Sequence, residues 1–229
     1  MIYFTSDLHL GHDQILTYEP RRQIVLGTTI TEHDTNIIAR INSKVKPDDV
    51  LFILGDFCLS HKNRIKTYRQ QIQCRTVILV MGNHDKRLDY YECGFQTFCY
   101  EMLIRVAGDL VRLRHHPYRK PIYKTVFPWQ YKEKDRNKRP KDTGHTLLHG
   151  HIHSGNHRVS KAWNVHGRQI NVGVDCNKYF PISLREVESL IAKEKANNEN
   201  RQRRYRPCTV IRKMKRRIRL FFLTYLTKN

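Results

Sequence analysis

Short apolar runs, each emptying into a polar or glycine-containing turn, set the pattern of this chain. Residues 1–6 (MIYFTS), 50–54 (VLFIL) and 75–81 (RTVILVM) are rich in β-branched and other apolar side chains and lack the alternation of a half-exposed strand. They read as buried strands. Between them the period changes to that of a helix. One helix is expected from near Thr31, where Thr31 and Asp34 fit a capping arrangement and Ile37, Ile38 and Ile41 line one face; residues 62–72 suit a second. The intervening segment with Pro20, Arg21 and Arg22 reads as irregular, and residues 46–49 (KPDD) as a turn. Strand, helix, strand, helix, strand is the order of an α/β layer architecture.

Beyond Met102 the pattern becomes that of a hairpin, residues 103–106 and 110–113 around Gly108 and Asp109. Residues 146–148 form a short strand, and a second hairpin is expected from residues 162–165 and 169–174 around Gly167. Ser183 and Glu186 are spaced as the N-cap and N3 partners of a helix opening at Pro181. The folded domain, residues 1–192, should end near Ala192 and leave a tail, residues 193–229.

Two stretches depart from this order. Residues 119–141 form a basic segment carrying prolines, with Tyr123, Phe127, Trp129 and Tyr131 set among lysines and arginines. It is too long for a bare connector. Rings interleaved with cations suit stacking on bases and contact with phosphates, and an insertion whose rings pack locally would show the same pattern. In the tail, thirteen Lys or Arg stand against Glu194 and Glu199, while Ile211, Met214, Ile218, Phe221 or Phe222, and Tyr225 share one helical face. A basic amphipathic helix of this kind can grip nucleic acid, dock on its own domain or lie on a membrane. The shortness of the apolar stretch 221–226 ranks the membrane last.

The net charge of +21 over 229 residues strengthens the expectation of a polyanionic partner or phosphorylated substrate. No apolar run approaches the roughly 20 residues that cross a bilayer, and no basic-then-apolar leader opens the chain, so a soluble, cytoplasmic protein is expected. Six cysteines without CxxC pairs argue against a disulfide framework and against a thiolate zinc site.

The turns that close the strands carry the chemistry. Five fragments stand out: Asp7-Leu-His9, Gly55-Asp56, Gly82-Asn-His-Asp85, His115-His-Pro117 and Gly150-His-Ile-His153. Any one of them alone is an ordinary turn, since Asn and Asp bond their own backbone, and a lone histidine is more often structural than a ligand. Together they gather carboxylates, imidazoles and one amide at strand ends, where α/β sheets build their sites. Oxygen and imidazole donors without thiolate suit Mn²⁺, Fe or Zn²⁺, and seven candidates are too many for one tetrahedral ion but about right for two ions sharing a bridge.

The ordered set, DLH at Asp7 and His9, GD at Asp56, GNHD at Asn83 and His84, HHP at His115, and GHIH at His151 and His153, resembles the calcineurin-like metallophosphoesterase superfamily over most of residues 1–190. The opening IYFTSDLHLGH and the late NVGVDCNKYFPISL, residues 171–184, are most similar to a small phosphoesterase branch of bacteria and phages. The resemblance implies an α/β fold, a four-layer αββα sandwich of two mixed β-sheets flanked by helices, with the basic C-terminal helical tail outside it. It implies two divalent metal ions, Mn first and Fe, Zn or Ni as alternatives, one held by Asp7, His9 and His153, the other by Asn83, His115 and His151, with Asp56 bridging. His84 would stay off the metals as the catalytic residue, donating to the scissile phosphate or protonating the leaving oxygen. The implied activity is hydrolysis of phosphomonoesters or phosphodiesters by metal-bound hydroxide, extended to nucleotides or nucleic acid by the basic insertion and tail. The alternative is an inactive protein that keeps the fold and binds nucleic acid or a membrane surface.

Within that resemblance two points are particular to this chain. Residues 57–60 (FCLS) offer no Asp or Asn after the GD block to compensate a protonated His84, leaving Asp85 as the candidate. The HHP block offers two histidines; His115 fits the family's His-x-Pro pattern, leaving His116 as a pocket or surface residue. His12, His145, His149 and His157 are expected to support the site or lie on the surface.

Overall fold

The computed structural model describes residues 1–59, 62–85, 90–118, 139–153 and 169–204, with side chains up to residue 196. Two compact units divide the chain, residues 1–189 and residues 190–229.

The first unit holds two mixed sheets with flanking helices, the α/β sandwich that the sequence implies. In the first sheet β1 (Ile2–Thr5), β2 (Val50–Ile53), β3 (Thr76–Val80) and β4 (Thr97–Cys99) run parallel, and β9 (Ile182–Ser183) pairs antiparallel with β1, giving the order β4-β3-β2-β1-β9. In the second, β5 (Met102–Val106) and β6 (Asp109–Leu113) form the expected hairpin, and β7 (Thr146–His149) and β8 (Gln169–Asn171) add parallel strands in the order β5-β6-β7-β8. The first arm of the second expected hairpin, residues 162–165, lies outside the described residues, as do residues 119–138 of the basic insertion, His157 and the tail beyond residue 204.

Alternation along the central strands explains the layering. Tyr3, Leu51, Ile53, Val77 and Leu79 join one buried apolar cluster with Ile37, Ile38 and Ile41 of α3 (Ile30–Lys44) and Ile65 and Tyr68 of α4 (Lys62–Gln71). Phe4 and Phe52, one residue out of phase, stack at 5.3 Å on the other face. No disulfide joins cysteines among the described residues. Nor is any helix among them long and apolar enough to cross a membrane.

Two local expectations are revised. The cap of α3 is Thr29, not Thr31: the Thr29 hydroxyl accepts the Glu32 N–H at 3.2 Å and the Glu32 carboxylate accepts the Thr29 N–H at 3.0 Å. This reciprocal pair satisfies two otherwise orphaned donors, and it leaves Asp34 free to turn inward. The segment read as irregular folds into α1 (Ile15–Tyr18) and α2 (Pro20–Leu26), the latter starting on a proline whose missing N–H costs nothing in a first turn. Helix α5 (Leu184–Arg204), entered through the expected Ser183 and Glu186 box, runs on through residue 192.

Substituting Thr29→Ala should lower the unfolding temperature by about 2–4 °C, read by thermal denaturation, while Thr31→Ala should leave it unchanged.

Candidate metal centre

All five fragments hang from the C-terminal ends of parallel strands. Beyond β1 lie Asp7 and His9, beyond β2 Asp56, and beyond β3 Asn83 and His84. From the second sheet, β6 delivers His115 and β7 delivers His151 and His153. Backbone bonds continue the ladders into the turns: the Asp7 N–H donates to Gly55 O at 3.0 Å, His9 N–H to Asp56 O at 3.0 Å, Gly150 N–H to His115 O at 3.0 Å and Val174 N–H to Ser6 O at 3.1 Å. The last of these crosses from one sheet to the other. It accompanies a parallel bridge between Ser6 and Gly173.

Such close approach needs unusual backbone. Asp7 (φ 60°), His9 (51°), Asp56 (53°) and His151 (68°) all occupy the left-handed region, which ordinary side chains rarely adopt. Strain of this sort persists where the surroundings over-determine it, and it gathers at functional sites. Glycine provides the room between the turns. A Cβ on Gly82 would stand 2.6 Å from the Asp56 N and 3.0 Å from its Cγ, and one on Gly173 2.8 Å from Asp7 Oδ2.

Two groups of donor atoms result. In the first, His9 Nε2 lies 3.1 Å from His153 Nε2, and Asp7, His9 and His153 each place a ligand atom within 4.8 Å of the others. In the second, Asn83 Oδ1 lies 3.0 Å from both His115 Nε2 and His151 Nδ1. Asp56 stands between them, its Oδ2 3.6 Å from His9 Nε2 and 3.3 Å from His115 Nε2. Asp7 reaches toward the second group as well, with Asp7, Asp56 and His115 forming another set within 4.8 Å. Structure thus brings together every residue singled out as a ligand.

Hydrogen bonds fix which ring nitrogens face inward. His115 Nδ1 meets the Leu54 carbonyl at 2.8 Å and His153 Nδ1 meets the Asp175 carboxylate at 3.0 Å; both partners only accept, so each Nδ1 carries a proton and Nε2 is the nitrogen each ring turns to the interior. Two ring nitrogens 3.1 Å apart, His9 Nε2 and His153 Nε2, are satisfied by a proton shared between them or by a cation that takes a lone pair from each. The donor set therefore fits divalent cations, and its oxygens and imidazoles favour borderline or hard metals over thiolate-seeking ones.

Charge tells the same story. Burial pulls His9 down to about 2 and His151 down to about 3, against which their acidic neighbours count for little. Burial opposes protonation of His115 too, yet the Asp56 carboxylate beside it pushes this ring up to about 9. For Asp56 itself burial is outweighed by His115 and His9, which hold the carboxyl well below the usual range. Asp7 goes the other way, raised by burial.

His84 lies off the donor groups. Its N–H donates to Asp56 Oδ1 at 2.9 Å, its exposed ring meets that of His9 edge-on at 5.4 Å, and the His12 ring lies 6.3 Å away. Asp85, the expected partner of His84, serves elsewhere. Its buried carboxylate accepts the N–H groups of Gly82 at 2.7 Å, Asp56 at 2.8 Å and Phe57 at 3.0 Å, clamping two turns together. Of the other histidines, His12 Nδ1 sits 3.3 Å from His9 Nδ1, His116 packs its ring on His151 at 4.3 Å, and buried His149 bonds the Gly150 carbonyl at 2.8 Å. His145 is half-buried away from the donor groups, its carbonyl accepting the Tyr118 hydroxyl.

Sequence reading passed over Asp175 and Arg22. Asp175 is an acid within the apolar run NVGVD, where a carboxylate needs a buried partner; no feature of Arg22 distinguishes it from its basic neighbour Arg21.

Fold and site together define a metal-binding phosphoesterase class, and comparison supplies the family. The profile for the calcineurin-like phosphoesterases matches residues 1–189, and the chain belongs to that family. It is 30% identical over 198 residues to the Gene 66 protein of Mycobacterium phage L5, covering 76% of this chain and 86% of the phage protein. Likewise it is 26% identical over 202 residues to the uncharacterized protein MJ1445 of Methanocaldococcus jannaschii, covering 85% and 93%. Among solved structures, protein AQ665 of Aquifex aeolicus, of unknown function, is similar with a TM-score of 0.55 and 30% identity over 83% of this chain and 99% of that one. These likenesses agree with the small phage and bacterial branch.

Gly82→Ala should destabilise the fold by roughly 1–3 kcal/mol and weaken any divalent-metal binding, because the added methyl displaces Asp56. Chemical denaturation and metal titration of the variant check both effects.

Proposed function

We propose that this protein is a dinuclear metal-dependent phosphoesterase. The observation that carries the reading is the convergence of seven donor side chains from five turns on one seam, with four of those residues in left-handed backbone. Asp7, His9 and His153 would hold one ion, Asn83, His115 and His151 the other, with Asp56 shared between them. Mn²⁺ suits the donor set best, with Fe, Zn or Ni as alternatives.

Bound there, two cations would supply an activated water and positive charge against the phosphoryl oxygens. The chain's own residues do the rest. Asp56 fixes the turn that carries His84 by accepting its backbone N–H, and the exposed His84 ring would meet an incoming ester, where a ring N–H can bind the phosphoryl group or protonate the departing oxygen. A phosphomonoester or phosphodiester fits this chemistry. The net charge of +21 supports a nucleotide or nucleic-acid phosphoester as the substrate class.

The direct test is hydrolysis of p-nitrophenyl phosphate and of its bis ester by metal-stripped protein, with and without added Mn²⁺. Turnover of at least one ester should appear with Mn²⁺ and vanish with EDTA; no metal-dependent turnover of either, or fewer than two ions bound per chain, overturns the reading in favour of a binding protein. His84→Asn should slow that turnover by about 10²–10⁴-fold with two ions still bound, as elemental analysis would report. Loss of metal from this variant would instead make His84 a ligand.

A further inference from the structure

Behind the first donor group runs a buried chain of polar side chains. Arg22, on α2, is fully buried, and each of its five N–H groups has an acceptor. Nε donates to Asp175 Oδ1 at 2.8 Å and Nη2 to Asp175 Oδ2 at 2.7 Å, a two-pronged fork. Nη2 also donates to the Asp7 carbonyl at 2.8 Å, and Nη1 to the Leu8 carbonyl at 3.2 Å and to His33 Nε2 at 3.2 Å. Since a guanidinium never accepts, His33 Nε2 must be bare, and its Nδ1–H donates to Asp34 at 2.9 Å. Asp34 in turn accepts the Gly11 N–H at 2.9 Å and the Tyr68 hydroxyl at 2.6 Å, which anchors the chain in α4.

One guanidinium therefore holds two things in place. Through the Asp7 and Leu8 carbonyls it fixes the left-handed turn that presents Asp7 and His9, and through Asp175 it fixes the ring of His153. The second donor group is backed differently. His115 leans on the neutral carbonyl of Leu54, where His153 leans on a carboxylate locked by a cation. A carboxylate behind a ligating imidazole raises its basicity and sets its tautomer, and removing such a partner lowers metal affinity by about 10–100-fold.

We infer that Asp175 and Arg22 are positioning residues for one cation position, that of Asp7, His9 and His153, and raise its affinity selectively. The inference rests on the dinuclear reading above. Lysine cannot replace Arg22 in it, because a single ammonium cannot grip both carboxylate oxygens and both carbonyls at once.

Mn²⁺ titration of metal-stripped, full-length protein by calorimetry tests it. Wild type should bind two ions; Asp175→Asn, which keeps the volume and an acceptor oxygen but loses the charge, should bind one with unchanged Kd and the other about 10–100-fold more weakly. Arg22→Lys should weaken the same ion, and Asp175→Glu should restore part of its affinity. Equal weakening of both ions, or of neither, overturns the inference and assigns the pair a purely structural role. Fewer than two ions on wild type would instead sink the dinuclear reading itself. Should the variants not fold, long-range ¹H–¹⁵N spectra of Zn²⁺-loaded wild type decide: His153 should carry its proton on Nδ1, and a bare Nδ1 overturns the inference.

Discussion

Four carboxylates, Asp7, Asp56, Asp85 and Asp175, are buried where the two sheets meet. Removing a charge from water costs several kcal/mol unless something else compensates it, so each must be answered locally. Asp175 is answered by Arg22, and Asp85 by three backbone N–H groups. Asp7 takes the His151 N–H on both oxygens, and Asp56 takes the His84 N–H, yet the groups that otherwise face them are imidazoles. Anionic oxygens opposed by neutral nitrogens make a site short of positive charge. That imbalance suits the seam to cations, and the same carboxylates raise the affinity of His115 for a proton.

The central strands were legible because burial on both faces leaves an unbroken apolar signature, and the donor residues because their types recur at strand ends in a fixed order. What the sequence concealed follows from two physical causes. Short helices such as α1 and α2 carry too few turns for a period to emerge, and β4 is three residues long. Asp85 and Asp175 look alike in one dimension, as single acids that follow an apolar run, and only their acceptor geometry separates a clamp on backbone amides from a brace on an imidazole. Thr29 and Thr31 differ in the same way. Both precede an apolar face, and the reciprocal bond to Glu32 decides between them.

The stretch between β1 and α3 gains meaning from this. Its two short helices bury Ile15, Leu16 and Leu26, and α2 also carries Arg22 into the core against the first turn. The glycines beside the turns serve the complementary need, letting main chains pass where a methyl would collide with Asp56 or Asp7. Braced and crowded in this way, the turns hold conformations that their side chains would not choose.

Each donor group draws on both sheets: Asp7 and His9 come from the first and His153 from the second, while Asn83 is met by His115 and His151. An ion held in either position would therefore rivet the two sheets together. Ligands that bind only the assembled state stabilise it in proportion to the logarithm of their concentration. On the dinuclear reading, the cohesion of the two sheets would follow the supply of free metal around the protein, and scarcity would loosen the architecture along with the chemistry.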